Sequence, residues 1–120
     1  MEANIKYEYN PRGFMEELPN LSYIIGLVGD DFDFRQKFLA IIKAEFPVEL
    51  GSYLLHIKKD EPRSASAYVS KLKYRISALG MEKAFDFAEK HEERLHTGDI
   101  SLDVEFKRIL KKIVLFLEKV

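Results

Sequence analysis

The stretch PRSASAYVSKLKYRISALG, residues 62–80, indicates which fold this chain adopts. At about 100° per residue, its apolar side chains fall on one side of a helix; they are Ala65, Val69, Leu72, Ile76 and Leu79. Pro62 suits the first turn, where the N–H that proline lacks would have no helical partner. Gly80 suits the left-handed conformation that often follows a helix. The stretch therefore predicts a helix over 62–79 that buries one face and exposes the other.

The exposed face of this predicted helix is polar apart from one tyrosine. It carries Ser66, Ser70, Lys73, Tyr74 and Ser77. Lys71 and Arg75 give the same helix local positive charge. Periodicity alone indicates an ordinary solvated face, as on most surface helices. A functional role for these side chains therefore needs support from elsewhere in the sequence.

Apolar residues at spacings of three and four predict further helices on both sides of this stretch. The expected segments are 21–28, 32–59, 81–97 and 101–119. Pro47 falls inside the long second segment, where we expect it to kink one continuous helix rather than to divide it. The buried face predicted for that segment begins with Phe34, Phe38, Ile41, Ile42 and Glu45.

Residues that favour helix ends separate these segments. Asp30 and Asp31 offer side-chain oxygens to the free N–H groups of the second segment, and the pair at 60–61 offers a capping acid to the third. Short connections between amphipathic helices favour an antiparallel arrangement. We therefore expect an all-α fold, an antiparallel up-and-down four-helix bundle with an extra short N-terminal helix. Glycines that end three of the segments are Gly29, Gly80 and Gly98.

The composition is typical of one soluble domain. The chain has 120 residues, of which 47% are apolar and 32% charged, which suits a single core. A net charge of −1 gives no general attraction to nucleic acid or to anionic membranes. The absence of cysteine excludes disulfides and thiolate metal sites, and the N-terminal residues are too polar for a signal peptide. We expect a cytoplasmic monomer with an arm over 1–19 and the bundle over 20–120.

The segment VSKLKYRISALG, residues 69–80, resembles the core motif of histidine-phosphotransfer (HPt) domains. That motif reads His-x-Leu-Lys-Gly, then five residues, then Gly. Leu72, Lys73, Leu79 and Gly80 match its leucine, lysine, final apolar residue and glycine. The flavobacterial branch is the most similar, since its members often read His-Lys-Leu-Lys-His-Lys-Ile-Ser here. The resemblance extends over roughly residues 20–118 and includes the phenylalanine-rich second segment.

This resemblance implies a signalling module of a two-component phosphorelay that binds the receiver domain of a response regulator or hybrid histidine kinase. It aligns the motif's phosphate-accepting histidine with Ser70 and its first glycine with the bulkier Tyr74. A serine phosphate ester is too stable to return its phosphoryl group to aspartate, and a serine hydroxyl is a weak nucleophile without an adjacent base. We therefore expect a pseudo-HPt domain, not an enzyme, that binds a receiver or kinase without carrying phosphate. The partner-binding residues that the resemblance implies are Ser66, Ser70, Lys71, Lys73, Tyr74 and Ser77, with Lys73 as the group that attracts phosphoryl oxygens.

Two other functions stay open on the sequence. One is an active phosphotransfer protein that uses another histidine, or whose residue 70 has been altered. Its candidates are His56, near the edge of the predicted buried face, His91, on the inward side, and His96, in a last helical turn. Packing, surface and capping positions explain these three histidines without any phosphate chemistry. The other function is that of a helical scaffold domain outside signalling.

A metal site is a further hypothesis, which the sequence disfavours. Glu89, His91, Glu92 and Glu93 have the spacing of helical carboxylate–histidine ligands. A di-metal bundle needs matching ligands on other helices, and Glu45 is the only other acid that the apolar pattern predicts to point inward. We therefore interpret the four residues as a charged, solvated face and expect no metal or other cofactor.

Overall fold

The computed structural model describes residues 16–120, and these residues form helices and connecting turns without any strand. Most of the arm expected over 1–19 lies outside the described residues. The helices are close to those predicted, with α2 formed as one helix through Pro47. They are α1 (Ser22–Val28), α2 (Phe32–Lys58), α3 (Pro62–Ala78), α4 (Glu82–His96) and α5 (Asp103–Leu117).

The helix ends follow the predicted local chemistry in all but one case. Asp31 Oδ1 accepts a hydrogen bond from the Phe34 N–H at 2.9 Å, which caps α2. Gly80 has a φ of +76°, the left-handed conformation expected after α3. The acid predicted to cap α3 does not do so, because the long side chain of Glu61 reaches back to His56, where Oε1 lies 2.7 Å from Nδ1.

The core lies mainly between α3 and its two neighbours. Helix α3 makes its most extensive contacts with α4 and α2, and α5 contacts α4 and α2. The apolar stripe predicted for α3 is confirmed, since all five of its members are fully buried. The largest side chains packed around it are Ile24, Ile42, Phe46, Tyr53, Met81, Leu95, Phe106, Ile109 and Leu110. Over residues 16–120, the helices contain no stretch long and apolar enough to cross a lipid bilayer.

The buried face predicted for α2 was partly wrong. Phe34, Ile41 and Glu45 are exposed, whereas Leu39 and Phe46 are buried beside Ile42. Apolar residues occur on almost every side of α2, so its sequence does not determine which side faces the core. Contact with α3 and α5 selects that side in the folded protein.

The segment before α1 is attached to the turn between α3 and α4. Both carboxylate oxygens of Glu17 accept hydrogen bonds from the first turn of α4, from the N–H groups of Lys83 at 2.9 Å and Ala84 at 2.8 Å. The Asn20 N–H donates to the carbonyl of Leu79 at 2.8 Å. No side chain of α4's own N-cap residue serves this end of the helix. Glu17 therefore satisfies N–H groups that would otherwise be unpaired, from a position far away in the sequence.

Candidate functional site

The candidate site is the outward face of α3 around Ser70. Ser70 is half-buried, and Lys71 and Ser77 are exposed. The ring of Tyr74 is 63% exposed, although its centroid lies 6.3 Å from that of Phe85 on α4. The predicted division of α3 into a buried and an accessible side is therefore observed around Ser70. This part of the helix presents an aromatic ring, a serine hydroxyl and one exposed lysine.

Ser66 does not belong to this accessible face. It is only 1% exposed, and its Oγ donates to the carbonyl oxygen of Arg63 at 2.7 Å. The Nε of Arg63 donates to the carbonyl of His96 at 3.1 Å, which holds the start of α3 against the end of α4. A serine is small enough to be covered at such a junction. The prediction that Ser66 lies on the exposed face, where a partner could contact it, was therefore wrong.

Lys73 lies on the accessible side but its charge is already neutralised. Its Nζ lies 2.9 Å from Glu92 Oε1 and 3.7 Å from Glu89 Oε2, and the side chain is only 13% exposed. The hydrogen bond with Glu92 is the main reason why the pKa of the Lys73 ammonium is raised above its ordinary value. The lysine was expected to attract phosphoryl oxygens. In the folded chain it binds α3 to α4 instead.

A second ion-pair cluster borders the same face on the side of α2. Arg75 donates to both carboxylate oxygens of Glu49, from Nε at 3.2 Å and from Nη2 at 2.9 Å, and it also pairs with Glu45. These three side chains line a cavity of about 480 Å³ together with Lys71 and Tyr74. Glu45 was the acid predicted to point inward. It lies instead in this solvent-accessible cluster.

The three histidines occupy different environments. His91 is fully buried, as its inward position predicted. His56 is half-buried; it pairs with Glu61 and stacks on Tyr68, with ring centroids 5.4 Å apart. His96 is exposed at the end of α4. None of these three imidazoles is placed beside Ser70 by a contact among the described residues.

A buried polar network joins three residues that the sequence pattern did not bring together. The hydroxyl of Tyr53 on α2 lies 2.7 Å from His91 Nε2 on α4 and donates to Asp103 Oδ1 on α5 at 2.5 Å. Asp103 Oδ2 also pairs with Lys107 at 2.9 Å. The only sequence signals were an inward histidine and an acid in the first turn of a helix. Neither signal shows that the two meet at a tyrosine from a third helix.

The hydrogen bonds of this network determine which ring nitrogen of His91 carries a hydrogen, and burial keeps the ring neutral. Because the Tyr53 hydroxyl donates its proton to Asp103, it accepts from His91, which assigns the imidazole hydrogen to Nε2. Burial lowers the pKa of His91 from 6.5 to about 4, so the ring is neutral at pH 7. Burial also raises the pKa of Tyr53. His91 Nδ1 is buried without a hydrogen-bond partner among the described residues.

The chemistry available at the α3 face is limited. Within residues 16–120, no side chain forms a hydrogen bond with the Ser70 hydroxyl, so no base activates it. No group of three or more His, Asp or Glu side chains with the geometry of a metal site occurs in that range either. Glu89 and Glu92 pair with Lys73, and His91 points into the core.

Comparison of the chain with family models, with curated proteins and with solved structures finds no match in any of the three.

Proposed function

We propose that this chain is a pseudo-HPt module, which binds a receiver domain, or the phosphotransfer partner site of a kinase, without carrying phosphate. The observation that carries the proposal is the position of Ser70. It lies on the accessible side of α3, in register with the HPt motif, next to the exposed Lys71 and Tyr74. A partner that recognises an HPt surface would therefore meet a serine where it requires a histidine.

The proposal includes an antiparallel, up-and-down arrangement of α2 to α5. Contacts between opposite helix ends support it. The start of α3 contacts the end of α4 through Arg63 and His96, and the end of α3 contacts the middle of α2 through Arg75 and Glu45. Lys43 on α2 donates to the carbonyl of Val120, just beyond the end of α5. These contacts are the ones that an alternating chain direction produces.

Three features support the inference that phosphate is not carried. A serine ester does not transfer its phosphoryl group back to an aspartate. The Ser70 hydroxyl has no activating base among the described residues. The lysine that would stabilise phosphoryl oxygens is paired with Glu92. The module would therefore compete with or tether signalling partners rather than relay a phosphoryl group.

An active phosphotransfer protein is the second candidate, and burial argues against one route to it. His91 has no solvent exposure and cannot meet an aspartyl phosphate on another protein without unfolding of its surroundings. His56 is engaged by Glu61 and Tyr68. His96 is accessible, but it lies at the end of α4, away from the α3 face. The remaining candidate, a scaffold outside signalling, differs from our proposal only in its partners.

The test is binding of receiver domains from the same genome, measured by isothermal titration calorimetry. We expect one or more receivers to bind, and Tyr74→Glu to weaken binding at least tenfold, since a charge replaces an exposed ring at the centre of the face. Leu115→Glu is the matched control, because Leu115 is also exposed but lies on α5. It should change the affinity less than twofold. If no receiver binds the wild-type chain, the scaffold function is the better one.

Phosphorylation is tested separately, with each receiver phosphorylated and the chain analysed for acid-labile label. We expect none on the wild type; label on His56, His91 or His96 would contradict the proposal. Ser70→His restores a nucleophile, and Glu92→Gln in that background frees the neighbouring Lys73. We expect Ser70→His to accept some phosphate and the double variant to accept more. Tyr74→Gly tests whether the tyrosine ring blocks the approach of the receiver.

A further inference from the structure

An apolar groove runs along the outer surface between α2 and α5. It consists of two depressions of about 470 and 310 Å³, which share Leu50, Leu54 and Val114 and therefore form one continuous feature. We call it the α2–α5 groove. It opens to solvent because α2 and α5 contact each other much less extensively than α2 and α3 do. Its apolar lining is Pro47, Leu50, Leu54, Leu110, Val114 and Leu117.

Gly51 keeps this groove open at a cost to helix stability. It lies inside α2, where glycine is less favourable than alanine because its backbone loses more conformational freedom in a helix. A Cβ placed on Gly51 would meet no atom of residues 16–120 within 4 Å, so packing among those residues does not require glycine there. The absence of a side chain does, however, allow another backbone to approach α2 closely. Close approach by an external helix would explain a glycine that the isolated fold does not need.

The charge on the rim indicates what kind of helix fits. Three lysines and a single acid line the groove, in a chain whose net charge is −1. Lys43 reaches the carbonyl of Val120, and Lys107 pairs with Asp103. Lys111 is exposed at the edge, and Glu118 is the only acid among the lining residues. The Asp103 carboxylate neutralises Lys107, but Lys43 and Lys111 together outweigh Glu118. The described part of the rim therefore carries a net positive charge, which acidic side chains complement.

We propose that the α2–α5 groove binds an acidic amphipathic helix from a partner protein. From Lys43 to Leu54 the groove extends about 16 Å along α2, at about 1.5 Å per residue, which accommodates roughly three turns of helix. An apolar stripe at i, i+3, i+4 and i+7 would lie against Leu50 and Val114, and glutamates or aspartates beside the stripe would face the lysines. This site does not depend on receiver binding, because it lies on α2 and α5 rather than on the accessible face of α3.

The probe is a fluorescein-labelled 18-residue peptide with leucines on one helical face and glutamates on the other. A matched peptide replaces every glutamate with lysine. We expect fluorescence anisotropy to show saturable binding of the glutamate peptide, at least tenfold tighter than that of the lysine peptide, and weaker at high salt. In ¹⁵N NMR spectra the amide of Gly51 should shift on binding. Equal affinities for the two peptides, or no binding below 1 mM peptide (roughly −4 kcal/mol), would overturn the proposal.

Variants locate the binding. Leu54→Glu places a charge in the groove, and Gly51→Leu fills it while favouring the helix, so at least one variant should remain folded by circular dichroism. We expect each folded variant to bind the glutamate peptide at least tenfold more weakly than the wild type does. Leu55→Glu is the matched control, since Leu55 is 47% exposed against 39% for Leu54 but does not line the groove. It should change affinity less than twofold.

Two results would contradict the proposed role of the α2–α5 groove. If Leu54→Glu and Leu55→Glu reduce the affinity for the glutamate peptide equally, the peptide does not bind in the groove and the proposal is wrong. Sedimentation of the wild-type chain without peptide tests whether a second copy occupies the groove. Self-association that Leu54→Glu abolishes and that the glutamate peptide cannot displace would identify a homodimer interface instead. A monomer at the concentrations used for the peptide titration supports the proposed partner.

Discussion

Acid should destabilise this protein through the buried imidazole of His91. The neutral ring is enclosed by Tyr53, by the Asp103–Lys107 pair on α5, and by Phe106, whose ring centroid is 4.9 Å away. Asp99 is the other charged group that acts on it, from the turn before α5. Protonation would place a second hydrogen on Nδ1, which is buried and has no acceptor among the described residues. The folded state therefore disfavours the imidazolium, while the unfolded chain does not.

The size of the effect follows from the two pKa values. Burial lowers the pKa of His91 from its ordinary 6.5 to about 4 in the folded state. Between those values the unfolded chain binds more protons, so stability falls as pH falls, and it is fully present above 6.5. At about 1.4 kcal/mol per pKa unit, the complete loss is about 3 kcal/mol. Between pH 7 and pH 5 the expected loss from this residue is about 2 kcal/mol.

Urea unfolding followed by circular dichroism at pH 7 and pH 5 measures this loss. In His91→Phe the ring remains but cannot titrate, so the loss between the two pH values should shrink by about 2 kcal/mol. His96→Gln is the control, because it also removes a histidine from α4 but at an exposed position. If His91→Phe keeps the full pH dependence, other groups cause the acid sensitivity and our account of His91 is wrong.

Two further comparisons test the core and the turns. Ile76→Ala should lower the free energy of unfolding by about 2–5 kcal/mol, because the residue is fully buried. Ser70→Ala should lower it by less than about 1 kcal/mol. Equal losses in urea unfolding would contradict the orientation of α3. Gly80→Ala should destabilise by at least about 1 kcal/mol, because φ is +76° and the new Cβ would lie 2.5 Å from Asn20 Oδ1. Gly51→Ala, by contrast, should raise the melting temperature, because residue 51 is helical and the new Cβ would contact none of the described residues. A lower melting temperature would show that a side chain at this position clashes with its surroundings.

Local chemistry made most of the helix ends predictable. A cap such as Asp31 acts on an N–H three residues away, and a glycine such as Gly80 acts on its own backbone angle. The stripe on α3 was predictable for a related reason, since its apolar residues are confined to one side. Where the apolar residues surround the helix, as on α2, periodicity did not identify the buried side.

The candidate site was only partly predictable, because its chemistry depends on residues far away in the sequence. The pattern on α3 placed Ser70 and Tyr74 on the accessible side correctly. It could not show that Glu92 neutralises Lys73, which is 19 residues away, or that Ser66 is buried. Spacing within one helix carries no information about the charges that a neighbouring helix presents.

The sequence by itself determined the all-helical class, most of the helix boundaries and the two-sided character of α3, because these depend on interactions within a few turns of one helix. Tertiary structure alone decided which side of α2 is buried, and it alone joined Tyr53, His91 and Asp103 into one network. His91 and Asp103 are separated from Tyr53 by 38 and 50 positions, and each of the three residues comes from a different helix. The contacts among them depend on how the three helices pack, and interactions between residues close in sequence do not determine that packing.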